Sequence, residues 1–316
     1  MTDLTIIIVS YNTADMTADC LSRVIASSDT LDKKIVVVDN ASADDTAEKI
    51  AREFPTVRLI ANTENVGFGR ANNQAIENGV GRYLLLLNSD AFVPPDALQK
   101  TIAFMDAHPE CGISGARIVD EEGRLQPSAR YRPTPFNSFL KRTGFGRFFR
   151  RIQAIDDMGW DHRSVRECDW VPGCYFVIRR DVIEQVGLFD PRYFLYYEEV
   201  DLCMAAQRKG WQVLFDPGVE IMHIGGASAK NLGEINAAGR QVENLRIESE
   251  FLFHRKNYGL LSTLAGLALS TLADLVRIIK NALKLKKNFP FRAYFRHICQ
   301  VWRIFMATRA GNHPTR

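Results

Sequence analysis

The sequence predicts an α/β fold, with a doubly wound, mostly parallel central sheet followed by a helical C-terminal extension. Three observations carry this. Residues 83–87 are an unbroken apolar run that ends in Asn88-Ser89-Asp90, and a run without alternation marks a strand buried on both faces, as in a parallel sheet covered by helices. Similar runs alternate with helical stretches through the first 120 residues, the order that builds a doubly wound sheet. Beyond about residue 240 the pattern turns helical and strongly basic.

In chain order, Thr5-Ile-Ile-Ile-Val-Ser10 is the first buried strand and ends in Tyr11-Asn12. A helix follows to about residue 27, with Leu21, Val24 and Ile25 on one face. Lys34-Ile-Val-Val-Val-Asp39-Asn40 is the second strand. Ser42 is placed to cap a helix over residues 45–54, because a serine oxygen accepts from free amides at a helix start. Residues 57–61 form a third strand, and residues 70–79 a helix that leads into the 83–87 strand. Another helix spans residues 97–107 and another strand residues 111–118. Residues 123–166 are rich in Arg, Phe and Pro without clean periodicity, and read as long loops with a short helix. Then come a strand over residues 170–179, a short helix over 180–186, an acidic helix after Tyr197, a strand over 211–216 and a Gly-rich loop from His223. From residue 235 onward the chain reads as mainly helical.

The chain has 316 residues, 46% apolar and 24% charged, which suits a folded protein with a sizeable core. Its net charge of +3 hides an asymmetry. Residues 255–316 hold 12 of the 40 Lys and Arg but one acid, Asp274, so an acidic body carries a basic tail. The six cysteines are scattered with no C-x-x-C pair, which excludes a disulfide framework or zinc motif and fits a reducing cytosol. Residues 4–9 form too short an apolar run for a signal peptide and are expected to begin the fold.

Ligands bind at the carboxyl edge of such sheets, so the polar strand ends are the candidate site. Asp39 there can accept from the donor groups of a nucleobase or ribose; alternatively it is a turn residue. Asp90, in its Asn-Ser-Asp triplet, can hold a hard divalent cation together with substrate phosphates. Asn65-Val-Gly67-Phe-Gly-Arg70-Ala-Asn72 opens a helix whose free amides and dipole favour a phosphate, although it matches neither the dinucleotide nor the Walker pattern. Tyr197-Glu198-Glu199-Val-Asp201 places three acids in apolar surroundings. Burial and like charge would raise a carboxylate pKa towards general-base duty; a solvated helix face is the alternative. His223, before Gly225-Gly226, is a candidate metal or phosphate ligand.

Taken together and in this order, these segments resemble the family 2 glycosyltransferases with the GT-A fold, over roughly residues 4–230. The branch they most resemble is the bacterial rhamnosyltransferase-like group. The resemblance implies a metal-dependent inverting transferase that moves a sugar, foremost rhamnose from dTDP-rhamnose, to a hydroxyl of a lipid-linked or cell-surface glycan. It implies Mg2+ or Mn2+ at Asp90 and His223. Donor contacts would come from Ser10, Tyr11, Asn12, Asp39, Asn65, Gly67, Arg70, Asn72, Asn88 and Ser89. Glu199 would be the catalytic base, with Glu198 and Asp201 shaping its field, and Trp170, Gly173 and Cys174 would line the acceptor side. Asn88 departs from the family's Asp-x-Asp and removes one charge from the metal site. UDP-linked galactofuranose, galactose or N-acetylglucosamine are alternative donors. A nucleotidyltransferase would need a Gly-rich, lysine-bearing N-terminal loop, which Val9-Ser-Tyr-Asn-Thr is not. A non-catalytic sugar-nucleotide sensor would not need both Asp90 and Glu199.

The division expected is a catalytic domain over residues 1–240 and a basic amphipathic extension over 241–316. Residues 257–273 lack charge except at their flanks, and residues 294–306 set Phe295, Ile298, Val301, Trp302 and Phe305 among Arg292, Arg296 and Arg303. Apolar anchors with a cationic rim suit a helix lying on an anionic membrane; the alternative is a cap packed on the catalytic domain. The expected location is therefore peripheral, on the cytoplasmic face of the plasma membrane. No nucleic-acid-binding motif accounts for the charge, and a homo-oligomer stays open.

Overall fold

The computed structural model describes residues 2–27, 31–77, 79–149, 151–225, 235–283 and 291–316. One sheet of nine strands organises the chain. The strands are β1 (Leu4–Ser10), β2 (Lys33–Asp39), β3 (Arg58–Ala61), β4 (Tyr83–Asn88), β5 (Ala91–Phe92), β6 (Cys111–Val119), β7 (Arg166–Glu167), β8 (Tyr175–Arg179) and β9 (Gln212–His223). Their order is β3-β2-β1-β4-β8-β6-β9-β5, with β7 paired to β9. β1 runs parallel to β2 and β4, and β6 parallel to β9. β8 is antiparallel to both neighbours, β4 and β6, so the sheet is mixed.

The unbroken apolar runs do what a strand buried on both faces requires. Along β4, Tyr83, Leu85 and Leu87 enter one core and Leu84 and Leu86 the other. Ile6 and Ile8 of β1 face the first, with Ile7 between them facing the second. Helices α1 (Ala14–Ala26), α2 (Thr46–Glu53), α3 (Phe68–Ala75), α4 (Ala97–Ala107), α5 (Pro135–Thr143), α6 (Arg180–Val186) and α7 (Glu198–Arg208) complete the body. α5 carries a capping box in which Thr134 and Asn137 satisfy each other's amides.

Several expected boundaries move. The 170–179 strand begins only at Tyr175, and the strand from Trp211 continues to His223 itself. Ser42 does not cap α2. Its hydroxyl and amide both donate to the Asp39 carboxylate, and the N-cap of α2 is Asp45, without a side-chain bond. Gly226 and Ser228 of the Gly-rich loop lie outside the described residues.

The extension is two helices, α8 (Ile235–Leu283) and α9 (Phe291–Ala307). α8 breaks at Gly259, whose φ of 79° and ψ of −174° are not helical. Before the break, Leu252 and Phe253 join the core of the body, while Phe251, Leu267, Val301, Ile304 and Phe305 form a small core between α8 and α9. The attachment is also polar. Buried Asp201 of α7 accepts from Lys256 Nζ at 2.6 Å, Asn257 Nδ2 at 2.8 Å and Tyr193 Oη at 3.3 Å.

A second clamp fixes the loop before α7. Phe68 N donates to Phe194 O at 2.8 Å, and Asn73 brackets Phe189 with bonds of 2.7 and 3.0 Å to its backbone. Gly67 makes this approach feasible. Its φ is 88°, and a Cβ there would sit 2.5 Å from Phe194 O.

Replacing Asp201 with Ala leaves the Lys256 ammonium and the Asn257 amide without their partner, and should lower unfolding free energy by about 2–3 kcal/mol. Limited proteolysis should then release the extension faster; unchanged cleavage would remove the latch role. Gly67→Ala should cost about 2 kcal/mol or more through strain at positive φ and the clash with Phe194, read by urea denaturation.

Candidate active site

Sheet topology brings the polar strand ends to one edge. β1, β2, β4, β6 and β9 all end there, at Ser10, Asp39, Asn88, Val119 and His223. β8 starts there, with Tyr175 opposite Leu87, so residues 170–174 enter from the same side. α7 leads through a tight turn into β9 and returns along the sheet, which puts Glu198 and Glu199 at this edge too.

On the β1–β2 side, most expected donor contacts brace the edge. Ser10 Oγ lies 3.0 Å from Thr13 Oγ1 and 2.7 Å from Thr17 Oγ1, and Ser89 Oγ is 3.2 Å from Thr13 Oγ1. This buried hydroxyl chain ties the end of β1 to the end of β4. Asn12, at φ 53°, donates its amide to Ser42 Oγ at 2.9 Å and accepts from Ala43 N at 2.6 Å. Tyr11 is half-buried beside them. The Ser42 bonds hold the buried Asp39 carboxylate at the floor of this side.

The helix start after Asn65 differs from expectation. Its first amide is taken by Phe194, and Gly67 N donates to Asn65 Oδ1 at 3.0 Å, so neither is offered to a phosphate. Arg70 Nε donates to Pro191 O at 3.0 Å, and Asn72 Nδ2 to Phe68 O at 2.9 Å. Arg70 thereby helps hold the loop before α7, whereas the Asn72 bond stays within α3. The buried Asn72 Oδ1 has no hydrogen-bond partner among the described residues.

Asn88, Asp90 and His223 do converge. His223 Nε2 lies 3.4 Å from Asp90 Oδ1 and 3.5 Å from Asn88 Nδ2, while Gln126 Nε2 donates to His223 O at 2.8 Å. Burial disfavours the His223 imidazolium, but the Cys174 sulfur and Asp90 beside it outweigh that and push its pKa up to about 10. Cys174, expected on the acceptor side, stands with His223 and Asn88, whose amide donates to Cys174 O at 3.1 Å. Among the described residues no three His, Cys, Asp or Glu form a metal cluster. A buried carboxylate beside an imidazole still fits a cation such as Mn2+ that takes its other ligands from a diphosphate and water.

The acids of α7 part company. Tyr196 and Tyr197 sit in the left-handed region at φ 71° and 70°, a strained entry that an active site commonly retains. Glu198 and Glu199 follow, the first buried and the second half-buried, and each has a shielded Oε2 without a hydrogen-bond partner among the described residues. Burial and then the Glu199 charge push Glu198 well above the usual carboxylate range. Burial also raises Glu199, while backbone amides and Arg130 pull it part of the way back. Glu198 packs towards Gly69 of α3, and Glu199 lines a cavity of about 870 Å³. Asp201 is in neither place; it latches α8 through Lys256.

Trp170 lines the same cavity, its Nε1 donating to Tyr131 O at 2.9 Å and its ring lying 4.1 Å under the Arg130 guanidinium. Gly173 borders Phe68, where a Cβ would make ordinary contact at 3.8 Å. The sequence reading missed the opposite wall, which α5, α8 and α9 supply through Arg142, Glu243, Arg246, Arg277 and His297. The basic insert at 123–166 was a partial signal for it.

Comparison with known proteins identifies the family and the fold. The model of the family described as Glycosyl transferase family 2 matches residues 5–187, more than half of the chain. The N-acetylglucosaminyl-diphospho-decaprenol L-rhamnosyltransferase of Mycobacterium tuberculosis is 29% identical over 202 residues, 60% of this chain and 66% of that protein. The low-salt glycan biosynthesis hexosyltransferase Agl10 of Haloferax volcanii is 25% identical over 66% of this chain and 62% of its own length. The chain thus spans just under two thirds of each of these relatives. The mannosyltransferase PcManGT from Pyrobaculum calidifontis, solved with GDP-Man and Mn2+, shares the GT-A-like fold at a TM-score of 0.54 and 16% identity, over 98% of this chain and 89% of its own. The chain belongs to glycosyl transferase family 2.

Proposed function

We propose that this chain is an inverting glycosyltransferase that moves a sugar from a nucleotide-sugar donor to a hydroxyl of a lipid-linked glycan, with rhamnose on dTDP as the leading donor. The observation that carries the reading is Glu199: a half-buried glutamate with a raised pKa and a shielded Oε2 that has no hydrogen-bond partner among the described residues, facing a cavity at the sheet's ligand edge. The preference for rhamnose and a lipid-linked acceptor rests on the mycobacterial relative, whose name states both.

The chemistry needs one proton acceptor and one stabilised leaving group. Glu199 Oε2 takes the acceptor hydroxyl proton as that oxygen attacks the anomeric carbon from the face opposite the diphosphate. One displacement inverts the configuration, and no enzyme nucleophile is required. Asp39 and the neighbouring β1–β2 edge bind the nucleoside, and Trp170 offers an aromatic face to the acceptor sugar. A divalent cation held by Asp90 and His223 would supply positive charge to the leaving diphosphate. Asn88, Ser89 and Cys174 keep those two ligands in place.

The extension suits attachment to an anionic membrane. Within α8, Gln241–Leu283 is long and apolar enough to cross a bilayer by length and composition, with a hydropathy of 1.6. The break at Gly259 and the arginines at 292, 296 and 303 favour lying on the surface instead. Leu261 is 83% exposed, Ile279 58%, Phe295 57% and Met306 70%, and these are the apolar anchors. On this reading the enzyme works on the cytoplasmic face of the membrane, where nucleotide sugars are made.

Glu199→Gln should lower transfer by about 10²–10⁴-fold and leave donor binding in place; retained transfer or lost donor binding would sink the assignment. Glu199 works ionised, so activity is present above its raised pKa and is lost as pH falls through it. The acid limb of kcat/KM should therefore lie above the ordinary glutamate value of about 4.3. Mn2+ with the correct nucleotide sugar should raise Tm, and Asp90→Asn or His223→Ala should abolish that increment. A donor shift that ignores both substitutions would place the metal elsewhere.

A further inference from the structure

The cavity that Glu199 faces is larger than one sugar ring fills, and its far wall has a chemistry of its own. Arg142 is already neutralised there, with Nη2 2.6 Å from Asp274 Oδ1, and His297 Nδ1 lies 2.6 Å from the same carboxylate's other oxygen. Arg246 and Arg277 are different. Arg246 on α8 faces the phenols of Tyr196 and Tyr197 and has no carboxylate partner among the described residues. Arg277, one turn beyond Asp274 and also lining the cavity, lies 4.7 Å over the Tyr294 ring and likewise has none.

Glu243 and Glu250 line the same cavity, and Glu250 shares the Tyr197 phenol with Arg246, but neither forms an ion pair with Arg246 or Arg277. Glu243 Oε1 is 3.7 Å from His297 Nε2, and Glu250 Oε1 is 3.9 Å from His254 Nε2. Two guanidiniums that form no ion pair among the described residues, in a partly open and partly apolar cavity, are disposed to bind an anion, and a guanidinium fork matches phosphate oxygens. From the same wall the surface runs out onto the exposed leucines of α8, among them Leu264, Leu272 and Leu275.

We propose that the cavity contains a phosphate subsite built by Arg246 and Arg277. It would hold the phosphate or diphosphate that joins the acceptor's reacting sugar to the rest of the acceptor. The inference rests on the glycosyltransfer reading and adds the acceptor's charge and the residues that read it. Two acceptors share this chemistry, a lipid-linked sugar diphosphate and a soluble sugar phosphate.

The test is isothermal titration of the full chain in EDTA, which silences metal-assisted phosphate binding at Asp90. The probes are decyl diphosphate, decyl glucoside and glucose 1-phosphate, below micellar concentration. Decyl diphosphate should bind at least about tenfold more tightly than decyl glucoside, as expected for charge-assisted bonds. R246Q/R277Q should erase that preference, and R246K/R277K should keep part of it. Binding of glucose 1-phosphate as tight as that of decyl diphosphate identifies the soluble source; binding of the decyl ester alone identifies the lipid. Equal binding of decyl glucoside, or a preference that survives R246Q/R277Q, overturns the subsite. The same protein is titrated with nucleotide sugars and Mn2+. Donor binding without the diphosphate preference defeats this inference alone, whereas absence of donor binding defeats the glycosyltransfer reading and the subsite with it.

Discussion

Asp201 decides how the two halves of this molecule meet. A carboxylate buried at the first turn of α7 needs partners, and it finds Lys256 and Asn257 on α8 and Tyr193 from the preceding loop. Because an ion pair loses strength steeply when one partner is removed from a buried setting, the body and the extension are tied at a residue two positions from Glu199. That places α8 and α9 opposite Glu199 across the cavity. The cavity exists because the latch holds its second wall, so the extension takes part in the site as well as in any membrane contact.

The same helix start sets stability against function. Glu198 and Glu199 have pKa values raised by burial, so their contribution to stability is fully present below the ordinary carboxylate range and is lost as pH rises through their folded values. A base must work ionised, which is the state the fold favours least. Two left-handed tyrosines immediately before the pair add backbone strain. The clamp from the start of α3 supports this arrangement: Phe68 and Asn73 grip Phe194 and Phe189 in the loop that leads into the turn. The Asn-rich segment reads as a ligand-binding loop, and in the structure much of its bonding capacity serves the base instead.

Much of the body was legible because its signals are local. Leu84–Leu87 can feed two cores only as a doubly covered strand, and polar residues that end such strands reach one edge whatever the connections between them. The placement of Asp39, Asp90 and His223 at that edge followed from that, whatever their roles. What was not legible depends on partners far away in sequence. Nothing around Cys174 announces that β8 runs antiparallel and delivers it beside His223. Nothing in Glu198-Glu199-Val-Asp201 says that the third acid will meet Lys256. The extension's charge and apolarity were visible, but a helix that walls a cavity and one that lies on a membrane share the same pattern.

Those two roles need not compete, because the faces involved are different. Leu267, Val301 and Phe305 point between α8 and α9 and hold the pair together, while Leu261, Phe295 and Trp302 stay exposed. Arg246 and Arg277 stand on the cavity side of the same helices. A pair of helices that rests on a bilayer through its outer face would present its inner face at the height of the headgroups. A hydroxyl on a short lipid-linked glycan lies at that height, so membrane contact would fix the distance between acceptor and Glu199 before the donor arrives. Orientation of this kind lowers the entropy lost at the reacting centre. On that reading Arg246 and Arg277, which form no ion pair among the described residues, would sit where a headgroup phosphate passes, between the exposed leucines of α8 and Glu199.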